Sequence, residues 1–158
     1  MTVRRVMAIL ALTASLGAAG CAQRAPAVNL GAFERNASDG TMVVYWNCTQ
    51  GEPGRLVIEG AAANPYYTVP LRDIALVVSG FDAQNRQVSR AGGGTADYQV
   101  SPGAASPFRL DLRLAGGEER FDLRTEYRGA PGGGTSVGGA QGGLTTHDMR
   151  DICGRRRR

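Results

Sequence analysis

The 158-residue sequence contains no lysine, a single histidine and no Cys-x-x-Cys motif, and each absence removes a class of function. A P-loop that binds nucleotide phosphates needs a lysine after its glycines, so the three glycines at 92–94 cannot form one. A hydrolase with a Ser-His-Asp or Cys-His arrangement would have to use His147. That residue follows a glycine-rich stretch, a poor place to hold a base within hydrogen-bonding distance of a nucleophile. We therefore expect no enzymatic activity and no cofactor, with a hydrolase as the least favoured alternative.

The basic residues are not distributed as they are in a nucleic-acid-binding protein. The formal net charge is +4, but residues 41–128 contain nine arginines against ten aspartates and glutamates and are close to neutral. A uniformly basic face is therefore not predicted, and we expect no nucleic-acid partner. The excess charge lies at the two termini, in Arg4 and Arg5 and in the tail formed by Arg155, Arg156, Arg157 and Arg158. The tail is a candidate for binding acidic glycans or anionic lipids, with a solvated terminus as the alternative.

The apolar stretch at residues 6–16 is too short to span a bilayer as a stable anchor. Two arginines precede it and small residues follow it, which is typical of a secretory signal. The small residues 17–20 and then Cys21 resemble the lipobox of bacterial lipoproteins, with Ala18 at the position where leucine is usual. This resemblance implies that residues 1–20 are a signal peptide and that Cys21 becomes the lipid-bearing first residue. The alternative is ordinary signal cleavage nearby.

The residue after the cysteine, Ala22, resembles the signal for delivery to the outer membrane in Gram-negative bacteria. We therefore expect a lipid-anchored protein of the cell envelope, on the periplasmic face of the outer membrane if the host is Gram-negative. Residues 21–40 show little periodicity and are predicted to form a flexible tether, with a short ordered turn near Leu30 and Phe33.

Residues 41–128 alternate between apolar and polar side chains and show no helical periodicity. The clearest alternation is at 108–114, where Phe108, Leu110, Leu112 and Leu114 share one face. We expect residues 71–88 to form a central hairpin, and the glycines at 92–94 to interrupt the chain. The pattern predicts an all-β fold, a two-sheet antiparallel immunoglobulin-like sandwich of about seven strands. The predicted strands are 41–48, 55–62, 71–81, 86–91, 95–100, 108–114 and 121–128.

Several short motifs within this region resemble the FxLYD-type domain of bacterial envelope proteins. They are residues 60–64 after a strand, 70–74 before an apolar strand, 81–83 at a turn, and 101–103 before Pro107 and Phe108. The resemblance extends over residues 55–128, but Phe81 and Asp82 stand where a Tyr-Asp turn is expected. It implies an immunoglobulin-like sandwich without an assigned activity.

With Cys21 assigned to lipid, Cys48 and Cys153 remain. An even pair in an exported protein favours a disulfide, because the compartment is oxidising. Two free thiols are one alternative. The other is a metal site that adds His147 and Asp148, for which the sequence has no zinc-ligand spacing. We expect no metal.

The C-terminal part divides into a glycine-rich linker at 129–143 and a short segment at 144–158. Thr145 and Asp148 fit a helix capping box, and Met149, Ile152 and Cys153 would share one helical face. We expect one or two helical turns that dock on the sandwich, followed by the basic tail.

The segment between Pro65 and Pro70 contains two adjacent aromatic residues, Tyr66 and Tyr67. They are candidates for a surface that binds a sugar or a peptide, with loop closure and core packing as the alternative. The sequence as a whole predicts a lipid-anchored envelope protein that presents a non-catalytic binding or scaffolding module. A structural accessory subunit of an envelope complex is the alternative function.

Overall fold

The computed structural model describes residues 27–65, 69–129 and 144–154. These residues form two antiparallel sheets, one with the strand order β1-β2-β3-β7 and one with the order β5-β4-β8-β9, in which β6 pairs with the start of β4. No helix in the described ranges is long and apolar enough to cross a membrane. After a 3-10 turn at Leu30–Ala32, the strands are β1 Arg35–Ser38, β2 Val43–Gln50, β3 Arg55–Ala63, β4 Leu71–Phe81, β5 Gln87–Gly94, β6 Gln99–Val100, β7 Ala105–Arg113, β8 Arg120–Arg128 and β9 Leu144–Met149.

The core lies between the inner faces of the two sheets, as the alternating pattern predicts. In β7, Phe108, Leu110 and Leu112 are buried while the intervening Arg109 and Asp111 are exposed. The predicted central strand is also confirmed, because β4 lies between β5 and β8. Its inward residues Ile74, Leu76 and Val78 are at most 5% exposed.

The two ends of the sandwich are closed by different contacts. At the first, the Asn64 end, the buried Asn64 side chain donates hydrogen bonds to the carbonyls of Val69 and Val100, at 2.7 and 3.2 Å. This end includes the β1–β2 turn, the start of β4 and the end of β8. The last two pair with each other, Arg72 of β4 with Arg128 of β8. At the other, the disulfide end, Cys48 is bonded to Cys153.

The glycines at 92–94 do not interrupt the chain; this prediction was wrong. They continue β5 and pair with residues 75–77 of β4. A Cβ atom on Gly93 would lie 3.0 Å from Leu110 Cδ2 in the opposite sheet. Glycine is therefore what allows β5 to pass close to β7. Beyond β5, the predicted strand 95–100 is reduced to an isolated bridge at Thr95 and the two-residue β6.

The predicted helical turn at 144–153 was also wrong, because residues 144–149 form the edge strand β9. The open edge of β8 offers backbone partners to six residues there. The same sequence alternates with period two, so that Thr145, His147 and Met149 face inward. Pairing with the sheet satisfies the backbone better than a short helix, which would be marginal alone. A turn after β9 then places Ile152 in the core.

Part of the predicted tether belongs to the sandwich. Residues 35–38 form β1 and pair with β2, and the ordered turn expected near Leu30 is the 3-10 turn at Leu30–Ala32. The described residues thus form nine strands, where the sequence predicted about seven.

Candidate functional site

A large groove lies at the Asn64 end, on the outer face of the four-stranded sheet. Its volume is about 980 Å³, and most of its lining is apolar. The side chains of Val28 and Leu30 line one part, Val43 and Tyr45 of β2 another, and Pro107 of β7 a third. Such a concave apolar surface is typical of a binding site.

The segment at 27–34 forms part of this groove because Asn47 fixes it on the sheet. The Asn47 side chain accepts a hydrogen bond from the Glu34 backbone N–H at 2.7 Å and donates one to the Ala32 carbonyl at 3.1 Å. The Asn29 side chain accepts a bond from the Gly31 N–H at 3.1 Å, which caps the 3-10 turn. Two hydrogen bonds from Asn47 thus hold the segment on the outer face of the sheet, and the Asn29 bond keeps its turn closed.

Asn64 builds the far wall of the groove. Its backbone N–H donates to the Ala104 carbonyl at 2.9 Å, and its carbonyl accepts from the Gly103 N–H at 2.8 Å. With the two side-chain bonds to Val69 and Val100, Asn64 ties four chain segments together. The sequence shows this asparagine only as a turn residue. Three of its four partners, Val100, Gly103 and Ala104, lie 36 or more residues away along the chain.

Most of the sequence-predicted site residues lie outside the described residues. These are Cys21, Tyr66, Tyr67, Arg155, Arg156, Arg157 and Arg158. Pro65, the residue before Tyr66, lines the groove.

The other two predicted residues, Cys48 and Cys153, are joined by a disulfide with a Cα–Cα distance of 5.7 Å. Beside it, the Trp46 indole N–H donates to the Ile152 carbonyl at 2.9 Å.

Within the described part of the chain, the His147 side chain forms no hydrogen bond with a serine, threonine or cysteine. It lies in β9, opposite Thr125 of β8, with its side chain turned inward. Its Nδ1 atom is buried and makes no hydrogen bond. In residues 27–65, 69–129 and 144–154, no group of three or more histidines, cysteines and acidic residues could hold a metal ion.

A second, smaller groove lies on the outer face of the five-stranded sheet. Its volume is about 310 Å³, and charged side chains of β8, β9 and their neighbours line it. Two of them pair with each other, since Arg124 Nε lies 2.9 Å from Asp148 Oδ1. Because both partners are exposed, this pair contributes little to stability.

Comparison with known proteins bears on the fold alone. No family model matches the chain, and no curated protein is similar to it. Among solved structures, the chain is similar to the GAE domain of yeast GGA1, with a TM-score of 0.50 and 7% sequence identity. The match covers 73% of this chain and 96% of that one. The strand topology and this likeness establish an immunoglobulin-like β-sandwich.

Proposed function

We propose that this chain is a lipid-anchored protein of the cell envelope and presents its β-sandwich as a non-catalytic binding or scaffolding module. The observation that carries this proposal is the Cys48–Cys153 disulfide. Structural disulfides persist in oxidising compartments, so the pair supports export. It also leaves Cys21 as the one remaining cysteine of three. That cysteine directly follows the signal-like segment at residues 1–20.

The groove at the Asn64 end supports the binding part of the proposal. Its apolar lining and its volume of about 980 Å³ suit a ligand or partner with apolar groups. The predicted aromatic pair Tyr66 and Tyr67 directly follows the groove residue Pro65 in the chain. Both tyrosines therefore stay candidates for the same surface.

The environment of the only histidine supports a non-catalytic role. The Tyr127 hydroxyl and two backbone N–H groups already occupy the nearby Asp39 carboxylate. A carboxylate engaged in this way serves the fold rather than orienting a catalytic base. The resemblance to the FxLYD-type domain stays a prediction and agrees with this function.

Metabolic labelling with a palmitate analogue tests the anchor. Wild-type protein should be labelled and should remain with the membrane fraction, whereas Cys21→Ala should be unlabelled and released. Cys48→Ala is the matched control, because it changes a cysteine that is not proposed to carry lipid and should keep the label. Equal labelling of wild type and Cys21→Ala would defeat the proposal. A stoichiometric partner retained through purification would favour the accessory-subunit function instead.

A further inference from the structure

The position of residue 27 limits how far the sandwich can lie from a lipid on Cys21. Ala27 and Val28 line the groove at the Asn64 end, which Pro65 and Ala104 also line. Six residue steps separate Cys21 from Ala27, and an extended chain covers at most about 3.5 Å per step, or roughly 20 Å in all. The 11-residue strand β4 is longer, at roughly 35 Å. A lipid on Cys21 therefore keeps the Asn64 end near the bilayer.

The exposed large hydrophobic side chains lie at the same end. Among the described residues these are Tyr98, 71% exposed, and Leu144, 59% exposed. Leu144 begins β9 opposite Arg128, the last residue of β8. Tyr98 precedes β6, and its carbonyl accepts a hydrogen bond from the Asp73 N–H at 3.3 Å. A tyrosine with an apolar ring and a polar hydroxyl suits the boundary between lipid headgroups and acyl chains.

We propose that the Asn64 end rests on the phospholipid surface, with Tyr98 and Leu144 at headgroup depth, and that the disulfide end points away from the membrane. This orientation rests on the proposed lipid anchor at Cys21. It follows from two independent features, namely the short chain before Ala27 and the two exposed hydrophobic side chains. It leaves the turns of the disulfide end in the solvent.

Fluorescence quenching by brominated phospholipids tests the orientation. The full-length lipidated protein is reconstituted into vesicles of phosphatidylethanolamine and phosphatidylglycerol, with or without brominated acyl chains. Tyr98→Trp places a reporter at the Asn64 end. Gln84→Trp, in the exposed β4–β5 turn, is the matched reporter at the disulfide end. The buried Trp46 contributes the same background to both variants and is subtracted with wild-type protein.

The added fluorescence of Tyr98→Trp should be quenched at least about twofold more strongly than that of Gln84→Trp. Near-ultraviolet circular dichroism checks that both variants are folded. Adding Leu144→Ser to Tyr98→Trp should reduce the quenching, because the second apolar contact is lost. Equal quenching of the two reporters, or stronger quenching of Gln84→Trp, would overturn the orientation.

The same samples separate this inference from the anchor itself. If wild type carries lipid and both reporters stay unquenched, the anchor stands and the orientation fails. If wild type and Cys21→Ala label equally, the anchor fails, and the orientation that rests on it fails as well.

Discussion

The hydroxyl of Tyr127 donates a 2.7 Å hydrogen bond to Oδ2 of Asp39, and this bond joins the two sheets at the Asn64 end. The other carboxylate oxygen of Asp39 accepts the backbone N–H groups of Thr41 and Met42, both at 2.8 Å. One carboxylate thus shapes the β1–β2 turn and fixes it to β8. Burial opposes its ionisation, but the two backbone bonds and the tyrosine bond outweigh burial, so that the pKa of Asp39 lies below its usual value.

Replacement of Asp39 by asparagine should lower the free energy of unfolding at neutral pH by about 1–3 kcal/mol, because charged acceptors form the stronger bonds. Since the folded-state pKa of Asp39 is depressed, the advantage of wild type is complete above the unfolded-state pKa of about 3.9. It is lost as the pH falls through the lower folded-state pKa. Urea unfolding of both proteins from neutral to acidic pH measures this change. A wild-type advantage that persists undiminished in acid would contradict it.

Tyr127 should make the protein sensitive to alkali. Burial, followed by its bond to Asp39, raises the pKa of Tyr127 to about 12. A raised pKa means that its stabilising contribution is complete below the unfolded-state value of about 10 and is lost as the pH rises through the folded value. An ultraviolet titration should show one of the five tyrosines ionising late, and Tyr127→Phe should remove that step. The prediction fails if all the tyrosines of the wild type ionise together near their ordinary pKa.

The disulfide should be a large contributor to stability. It joins residues 105 positions apart, and a loop of that length restricts the unfolded chain strongly. The double variant Cys48→Ser, Cys153→Ser should lose about 2–5 kcal/mol of unfolding free energy. Because Trp46 contacts the adjacent Ile152 carbonyl, its fluorescence reports the loosening. A reductant should bring the wild type to the stability of the double variant and leave the variant unchanged. If a reductant leaves the unfolding free energy of the wild type unchanged, the disulfide contributes little to stability.

The sequence predicts the sandwich well where burial on one face decides the structure. Residues 71–81 were predicted as a strand and form β4, and 108–114 alternate as β7 does. The prediction fails where a contact with a residue far away along the chain determines the local structure. At residues 144–149 a helical pattern and a period-two pattern compete, and only the open edge of β8 selects the strand. The glycines at 92–94 similarly continue a strand because β5 passes close to Leu110, a contact across the two sheets.

The groove at the Asn64 end was predicted only in part. Pro65 borders the predicted aromatic segment, but Val28 and Leu30 belong to a stretch that was predicted to be a tether. Asn47 fixes that stretch through two hydrogen bonds across 13 and 15 residues of sequence. A polar residue on the solvent side of a strand gives no signal of such a role. The short ordered turn predicted near Leu30 and Phe33 was the one available hint.

Gly60 should be the least replaceable glycine of the sandwich interior. It lies in β3, where a Cβ atom would collide with the Tyr45 carbonyl oxygen and with the ring of Phe108. Gly60→Ala should therefore cost about 1–3 kcal/mol of unfolding free energy, or more if the two strands must separate. Gly92→Ala is the matched control, because a Cβ atom in β5 would be 3.5 Å from the nearest atom, the Leu76 carbonyl oxygen. That distance is an ordinary contact, so the control should change stability by less than about 1 kcal/mol. Chemical denaturation of both variants measures the difference, and equal effects would show that the close packing of Gly60 against Phe108 does not restrict this position.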